Sequence, residues 1–272
     1  MQGSGILIYS HKQIFIMSNS NRRSAFATPQ SNPATKFIEW KSNDKCFSYY
    51  DKAIAESLQG SDAEVIKEKA NVKIQLPFKF LVLDELSFVK GWSDALTGNI
   101  ISNEVKFISK ETLSAKCYHK NVKGESVITE IAKGLYKDIK DQVVTAGAKY
   151  HKSIYVMLED GSLANIKFKG ACVGKWAEFT QKTRNRLADE WVIVAKAEDG
   201  KKGAVKFSTP SFSFANSISD DEANMADEAF NILESYLKTY LAKADIDVVL
   251  NGDIANDFND MQDAAIDDGL DF

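Results

Sequence analysis

The sequence predicts a mainly β fold: a closed or nearly closed antiparallel barrel with few helices. Short runs of β-branched and aromatic residues recur over residues 36–214, with turn-forming residues between them about every ten positions. Only one or two stretches before Ser219 carry helical spacing. Hydrophobic residues make up 44% and aromatics 11% of the 272 residues, enough for a sizeable core.

Each element has its own warrant. Residues 1–16 hold apolar residues but lack the order of a signal peptide. Met17 reads as a natural initiator, the upstream residues then reflecting cloning or the choice of start site. The Ser-, Asn-, Pro- and Thr-rich run that follows makes 1–35 a disordered segment. "KFIEWK" and "KCFSYYDK" flank the turn-forming "SND" and predict a hairpin; Tyr49 and Asp51 share a face of its second strand. "NVKIQLPFKFLVLDEL" is a long strand interrupted at Pro77. "NEVKFI", "LSAKCYHK" and "SVITEIAKG" read as further strands. "LYKDIKDQVVTAG" has helical spacing at Leu135, Ile139 and Val143 and a glycine stop. Hairpins are expected around Asp160-Gly161 and Asp199-Gly200, with the short amphipathic helix "GKWAEFTQKTRNRL" between them.

Residues 215–244 hold the clearest helix. Ser219 and Glu222 form a capping-box pattern, and Met225, Ala229, Leu233, Tyr236 and Tyr240 form an apolar stripe with Ile232 and Leu237 beside it. The stripe reads as packing on the barrel or, alternatively, as a homodimer contact. Residues 245–272 form an acidic tail with too little apolar surface to fold alone.

The formal charge of −4 conceals a segregation. The tail has nine aspartates and no Lys or Arg, leaving 34 basic and 29 acidic residues in positions 1–244, a net of +5. A basic body is suited to polyanions, and an acidic tail either keeps the protein soluble or has its own role. Three widely spaced cysteines argue against a disulfide framework and for a reducing, cytoplasmic compartment. No apolar run approaches the roughly 20 residues that cross a bilayer.

Motifs of catalysis are lacking: there is no Walker-type loop, His-Glu-x-x-His or Gly-x-Ser-x-Gly, and the protein is read as non-enzymatic, without cofactor or metal. Cys117 and His119 lack the second ligand pair of a zinc site and read as a core cysteine and a surface histidine. The stronger signal is lysine interleaved with aromatics: Trp40 with Lys41, Lys106, the row Lys116, Tyr118 and Lys120, then Lys149, Tyr150 and Lys152, and Lys167 with Lys169. Single-stranded nucleic acid needs cations for its phosphates and rings for its unpaired bases, each stacked base contributing about 1–3 kcal/mol. Adjacent strand residues point to opposite faces, so any one of these rings taken singly reads first as core. Lys116, Tyr118 and Lys120 share a face and rank first. Arg184 and Arg186 extend such a groove or form a solvated helix end.

A β-rich body, a helix and an aspartate-rich tail ending "DDGLDF" resemble the single-stranded DNA-binding proteins of bacteria and tailed bacteriophages. The stretches "FKFLVLDELSFVKGWSDALTGNIISNEV", "KGLYKDIKDQVVTAGAKYHKSIYVML" and "IKFKGACVGKW" resemble phage members of this group. The resemblance implies an OB-fold over 36–214 with inserted helices. It implies sequence-independent binding of single-stranded DNA in replication, recombination and repair, in the host cytoplasm. It also implies that Asp267, Asp268, Asp271 and Phe272 recruit replication proteins such as a polymerase, helicase or primase while the tail competes with DNA for the groove. The alternative is an acidic-tailed interaction module or chaperone for basic partner proteins. Stacking and phosphate contacts alone do not separate DNA from RNA.

Overall fold

The computed structural model describes residues 31–245. The fold is mainly β, with eleven strands in one mixed sheet and five α-helices, the last at the C-terminal end of the described chain. Strands β1 (Lys36–Lys41) and β2 (Cys46–Tyr50) form the expected antiparallel hairpin, and β3 (Asn71–Ile74) extends it. Between β2 and β3 lie α1 (Lys52–Ser57) and α2 (Ala63–Ala70), for which no expectation was placed. Asp51 does not continue the strand: its carboxylate accepts the Ile54 amide at 3.2 Å and caps α1. Pro77 separates β3 from β4 (Phe78–Ser93) as expected, but β4 is longer than predicted.

Strands β5 (Gly98–Ser102), β6 (Leu113–Lys120) and β7 (Ser126–Gly134) follow as a meander. "NEVKFI" is not a strand; it is held to β4 by a single bridge between Ser87 and Val105. Helix α3 (Tyr136–Thr145) buries Ile139 and Val143, as its spacing predicts. Strands β8 (Ala148–Leu158) and β9 (Leu163–Lys169) form the hairpin at Asp160-Gly161, and β9 then pairs with β1 in parallel. After α4 (Ala171–Gln181) come β10 (Glu190–Lys202) and β11 (Val205–Ser217). Their turn lies at Gly203, where φ is +61°, and not at Asp199-Gly200. Gly200 lies within β10 opposite Phe207, whose ring occupies the space a Cβ at position 200 would need.

The strand order is β3-β2-β1-β9-β8-β4-β5-β6-β7, with β10 also on β4 and β11 on β10. The ladder therefore branches at β4 and does not close into the expected barrel. On one face of the sheet, α4 covers a core of Phe80, Ile154, Val156, Phe168 and Trp176, and α3 covers a second around Val89, Ile100 and Cys117. On the other face lies α5 (Asp220–Asp245), which buries Ala226, Ala229, Leu233, Tyr236 and Leu237 against Leu81, Leu86, Tyr155 and Met157. Its capping box forms as predicted: the Ser219 amide donates to Glu222 Oε2 at 2.7 Å, and the Glu222 amide to Ser219 Oγ at 3.3 Å. Met225 and Ile232, read as part of or beside the stripe, lie outside it and are exposed.

The disorder expected over 1–35 does not extend to residues 32–35. Ala34 is buried beside Leu233 and Tyr236, and the Thr35 amide donates to the Leu163 carbonyl at 3.0 Å. Residues 1–30, including Met17, lie outside the described residues. No described helix is long and apolar enough to cross a membrane. All three cysteines are buried and free.

Candidate nucleic-acid interface

Side chains paired across neighbouring strands project from the same side of a sheet. The registers therefore show which lysines share a face. Lys90 on β4 pairs with Lys149 on β8, His151 pairs with Phe88 and with Lys169 on β9, and Lys167 pairs with Glu39 on β1. Lys41 follows Glu39 by two on the same strand. Away from β8, Lys90 pairs with Ile101, which pairs with Lys116, and Trp92 pairs with Asn99, which pairs with Tyr118 and through it with Ile128. These side chains share the face that α5 covers farther along, and occupy the part next to that helix.

Within this set, Lys41, Lys90, Lys167 and Lys169 all lie within electrostatic reach of the half-buried Glu39 carboxylate. Burial alone would raise the Glu39 pKa; together the four lysines reverse that and hold it below the usual carboxylate value. Burial lowers the Lys90 pKa, Glu39 offsets part of this, and Lys169 adds to it. The Lys167 ammonium stands 5.2 Å from the Phe37 ring centre and 5.6 Å from that of Phe88. Like charges directly opposite each other, such as Lys90 and Lys149, destabilise a sheet. Trp92, with 46% of its surface exposed, and Ile128, with 48%, present apolar surface in the row of Tyr118. Cations thus stand beside the exposed Trp92 ring and the partly exposed Tyr118 ring, the two kinds of group that an unpaired strand requires.

Of the residues singled out in the sequence, Lys41, Lys116, Tyr118, Lys120, Lys149, Lys167 and Lys169 lie on this face. Four do not belong to it as expected. Trp40 is a core residue: it is buried against Phe47, with ring centres 5.0 Å apart, and its indole donates to the Ser208 carbonyl at 2.9 Å. Tyr150 points to the opposite side, where its hydroxyl meets Ser87 Oγ at 2.9 Å and its ring packs on Tyr136. Lys152 also points there and pairs with the buried Glu85 at 3.6 Å. Lys106 lies toward α5, paired with Asp84 at 2.9 Å. Arg184 also binds Glu85, and Arg186 pairs with Glu190 at 2.6 Å, so neither extends the face. Lys90, Trp92, His151 and Glu39 were missed; the spacing of Lys90 and Trp92 by two was their available signal. Asp267, Asp268, Asp271 and Phe272 lie outside the described residues.

His151 lies within this basic set. Burial, with Lys90 and Lys169, lowers its pKa to about 4, against the opposing pull of its hydrogen bond to the Lys149 carbonyl and of Glu39. The ring is neutral in the fold but protonates near 6.5 in the unfolded chain. The unfolded state thus binds more protons between these values, and stability falls as the pH is lowered through that window. Denaturant titrations across it are expected to show a shallower loss for His151→Phe than for the wild type; parallel profiles would refute this assignment.

Comparison with protein-family models, curated proteins and solved structures gave no match. Cys117 is a core residue, and His119 Nε2 lies 2.9 Å from Thr129 Oγ1. Among the described residues there is no cluster of three or more His, Cys, Asp or Glu side chains arranged to hold a metal ion.

Proposed function

We propose that this protein binds single-stranded nucleic acid, DNA foremost, without sequence preference and without catalysis, through the lysine-rich part of the α5 face. The observation that carries the reading is the register that sets Lys41, Lys90, Lys149, Lys167 and Lys169 on one face, continued by Trp92 and Tyr118 on neighbouring strands. An OB-like arrangement belongs to the same proposal only in an open form: β11 approaches the β1–β2 turn without pairing with β1, Ser208 Oγ donating to the Ser42 carbonyl at 2.5 Å and the Ser208 amide to Ser42 Oγ at 2.6 Å. The aspartate tail, opposite in charge to the body, acts as a tethered competitor for the face. Once strand binding displaces it, Asp267, Asp268, Asp271 and Phe272 present a docking peptide to replication proteins in the cytoplasm, in a phage replication or recombination setting.

A titration with a short poly-dT oligonucleotide at two salt concentrations tests the reading. Binding is expected to weaken steeply with salt, by a log–log slope of about −0.7 for each phosphate neutralised. Removing residues 245–272 is expected to tighten binding at low salt. Absence of binding would overturn the reading in favour of an acidic-tailed protein-interaction module. Metal-dependent breakdown of the oligonucleotide would point to a nuclease.

A further inference from the structure

We infer that Glu39 is the resident counter-ion of the lysine cluster and competes there with a phosphate of the bound polyanion, so that its charge limits the affinity of the face. The inference rests on the polyanion-binding reading above. Its geometric basis is the sheet itself. Glu39 lies directly across from Lys167, two residues from Lys41, and on the face that carries Lys90 and the Lys169–His151 pair. Lys90 and Lys149 face each other across β4 and β8, and Lys167 and Lys169 stand on the same face of β9, an arrangement that repels itself when no anion is present. A carboxylate fixed among them relieves that repulsion and fixes their positions. Its backbone is held in β1 opposite Lys167, so its charge stays near the cluster when a phosphate arrives. It then opposes the phosphate, as a like charge opposes a partner across an interface. The face is thus held to moderate affinity and rapid release, which suits a protein that must leave its strand.

The depressed Glu39 pKa accords with this arrangement, since only the surrounding lysines counter the effect of its burial. The Phe37 and Phe88 rings brace the Lys167 ammonium on either side, so removing the carboxylate charge is expected to leave that lysine in place.

The test is Glu39→Gln in the full chain, which keeps shape and removes charge. Without ligand, the variant is expected to melt below the wild type at low salt, with the gap closing as salt screens the lysines. Inorganic tripolyphosphate is expected to raise its melting temperature more than that of the wild type. Poly-dT is expected to bind about tenfold tighter, with the salt slope steeper by about 0.7, the value of one further phosphate. The Glu39→Gln/Lys90→Gln pair removes one charge of each sign and is expected to return both low-salt stability and tripolyphosphate affinity to near wild-type values. The assignment is overturned if Glu39→Gln binds tripolyphosphate no tighter than the wild type, or if the double variant restores nothing. If neither protein binds poly-dT but Glu39→Gln gains tripolyphosphate affinity, the single-strand reading falls and the counter-ion assignment stands.

Discussion

Replacing Lys90, Lys149 and Lys169 together by alanine is expected to weaken poly-dT binding about a hundredfold at moderate salt and to flatten the salt slope by about 2, three phosphates at roughly 0.7 each. Lys169 and Lys90 are also the strongest of the four lysine influences on Glu39, so the variant leaves that carboxylate with only the weaker pull of Lys41 and Lys167, and its pKa is expected to rise. The substitution also removes the like-charge pair Lys90–Lys149, so the fold should lose no stability from that row. A control of equal charge is at hand in Lys201, Lys202 and Lys206 at the tip of the β10–β11 hairpin, where Lys201 pairs with Lys206. If net charge alone governs binding, the two triple variants will weaken it alike. If the face governs it, the hairpin variant will bind nearly as the wild type does. Equal losses in a fluorescence titration would remove the case for this face.

Glu85→Ala is expected to cost about 2–4 kcal/mol of stability, from a buried donor left without an acceptor and the void of the lost side chain. Glu85 is 6% exposed and joins three elements. Its Oε1 accepts the Trp176 indole of α4 at 2.6 Å; its Oε2 accepts from Arg184 at 2.9 Å and lies 3.6 Å from Lys152 of β8. Alanine leaves the buried indole N–H without an acceptor and opens a void where α4 meets β4 and β8. Glu85→Gln keeps an acceptor for Trp176 but loses the ion pairs, and is expected to cost less. Denaturant unfolding ranks the three proteins. A loss below about 1 kcal/mol for alanine would show that Glu85 does not anchor α4. Poly-dT binding well below the melting temperature should be unchanged in both variants, because Glu85 serves the opposite side of the sheet.

Local spacing made part of this architecture legible. Lys116, Tyr118 and Lys120 share a face because strand side chains alternate, whatever they pair with. The capping box of α5 and the Ile139–Val143 face of α3 also depend only on nearby residues. Which side of a strand becomes core depends on which helix lands there, and spacing carries no trace of that. Trp40, beside Lys41, looked like a stacking platform, yet it faces the core capped by α4. Tyr150 and Lys152 alternate with Lys149 and His151 and fall on the side of Tyr136 and Glu85. Lys90 and Trp92 were missed because the reading followed β4 only to its early residues. Pairing with β5 and β8 carries β4 on past them, and Gly91 admits the close approach of the Gly147 carbonyl, which leaves no room for a Cβ. The barrel does not close because its end strands β3, β7 and β11 do not pair with one another, and local spacing carries no trace of such long-range pairing.

The branched, unclosed sheet leaves three margins among the described strands, β3, β7 and β11. A strand margin is a template for fibrils, and the hazard grows wherever many copies are packed side by side, as along a coated filament. All three are poor templates. In β11, Pro210 has no amide to donate and Ser208 is engaged by Ser42. At four residues β3 is too short to hold a foreign strand for long, and its Lys73 is engaged by Asp44 at 2.8 Å. The longer β7 carries an extra residue at Ile131, which breaks its register, with Glu130 and Lys133 exposed on either side. Crowding on a polymer therefore need not end in cross-β aggregation.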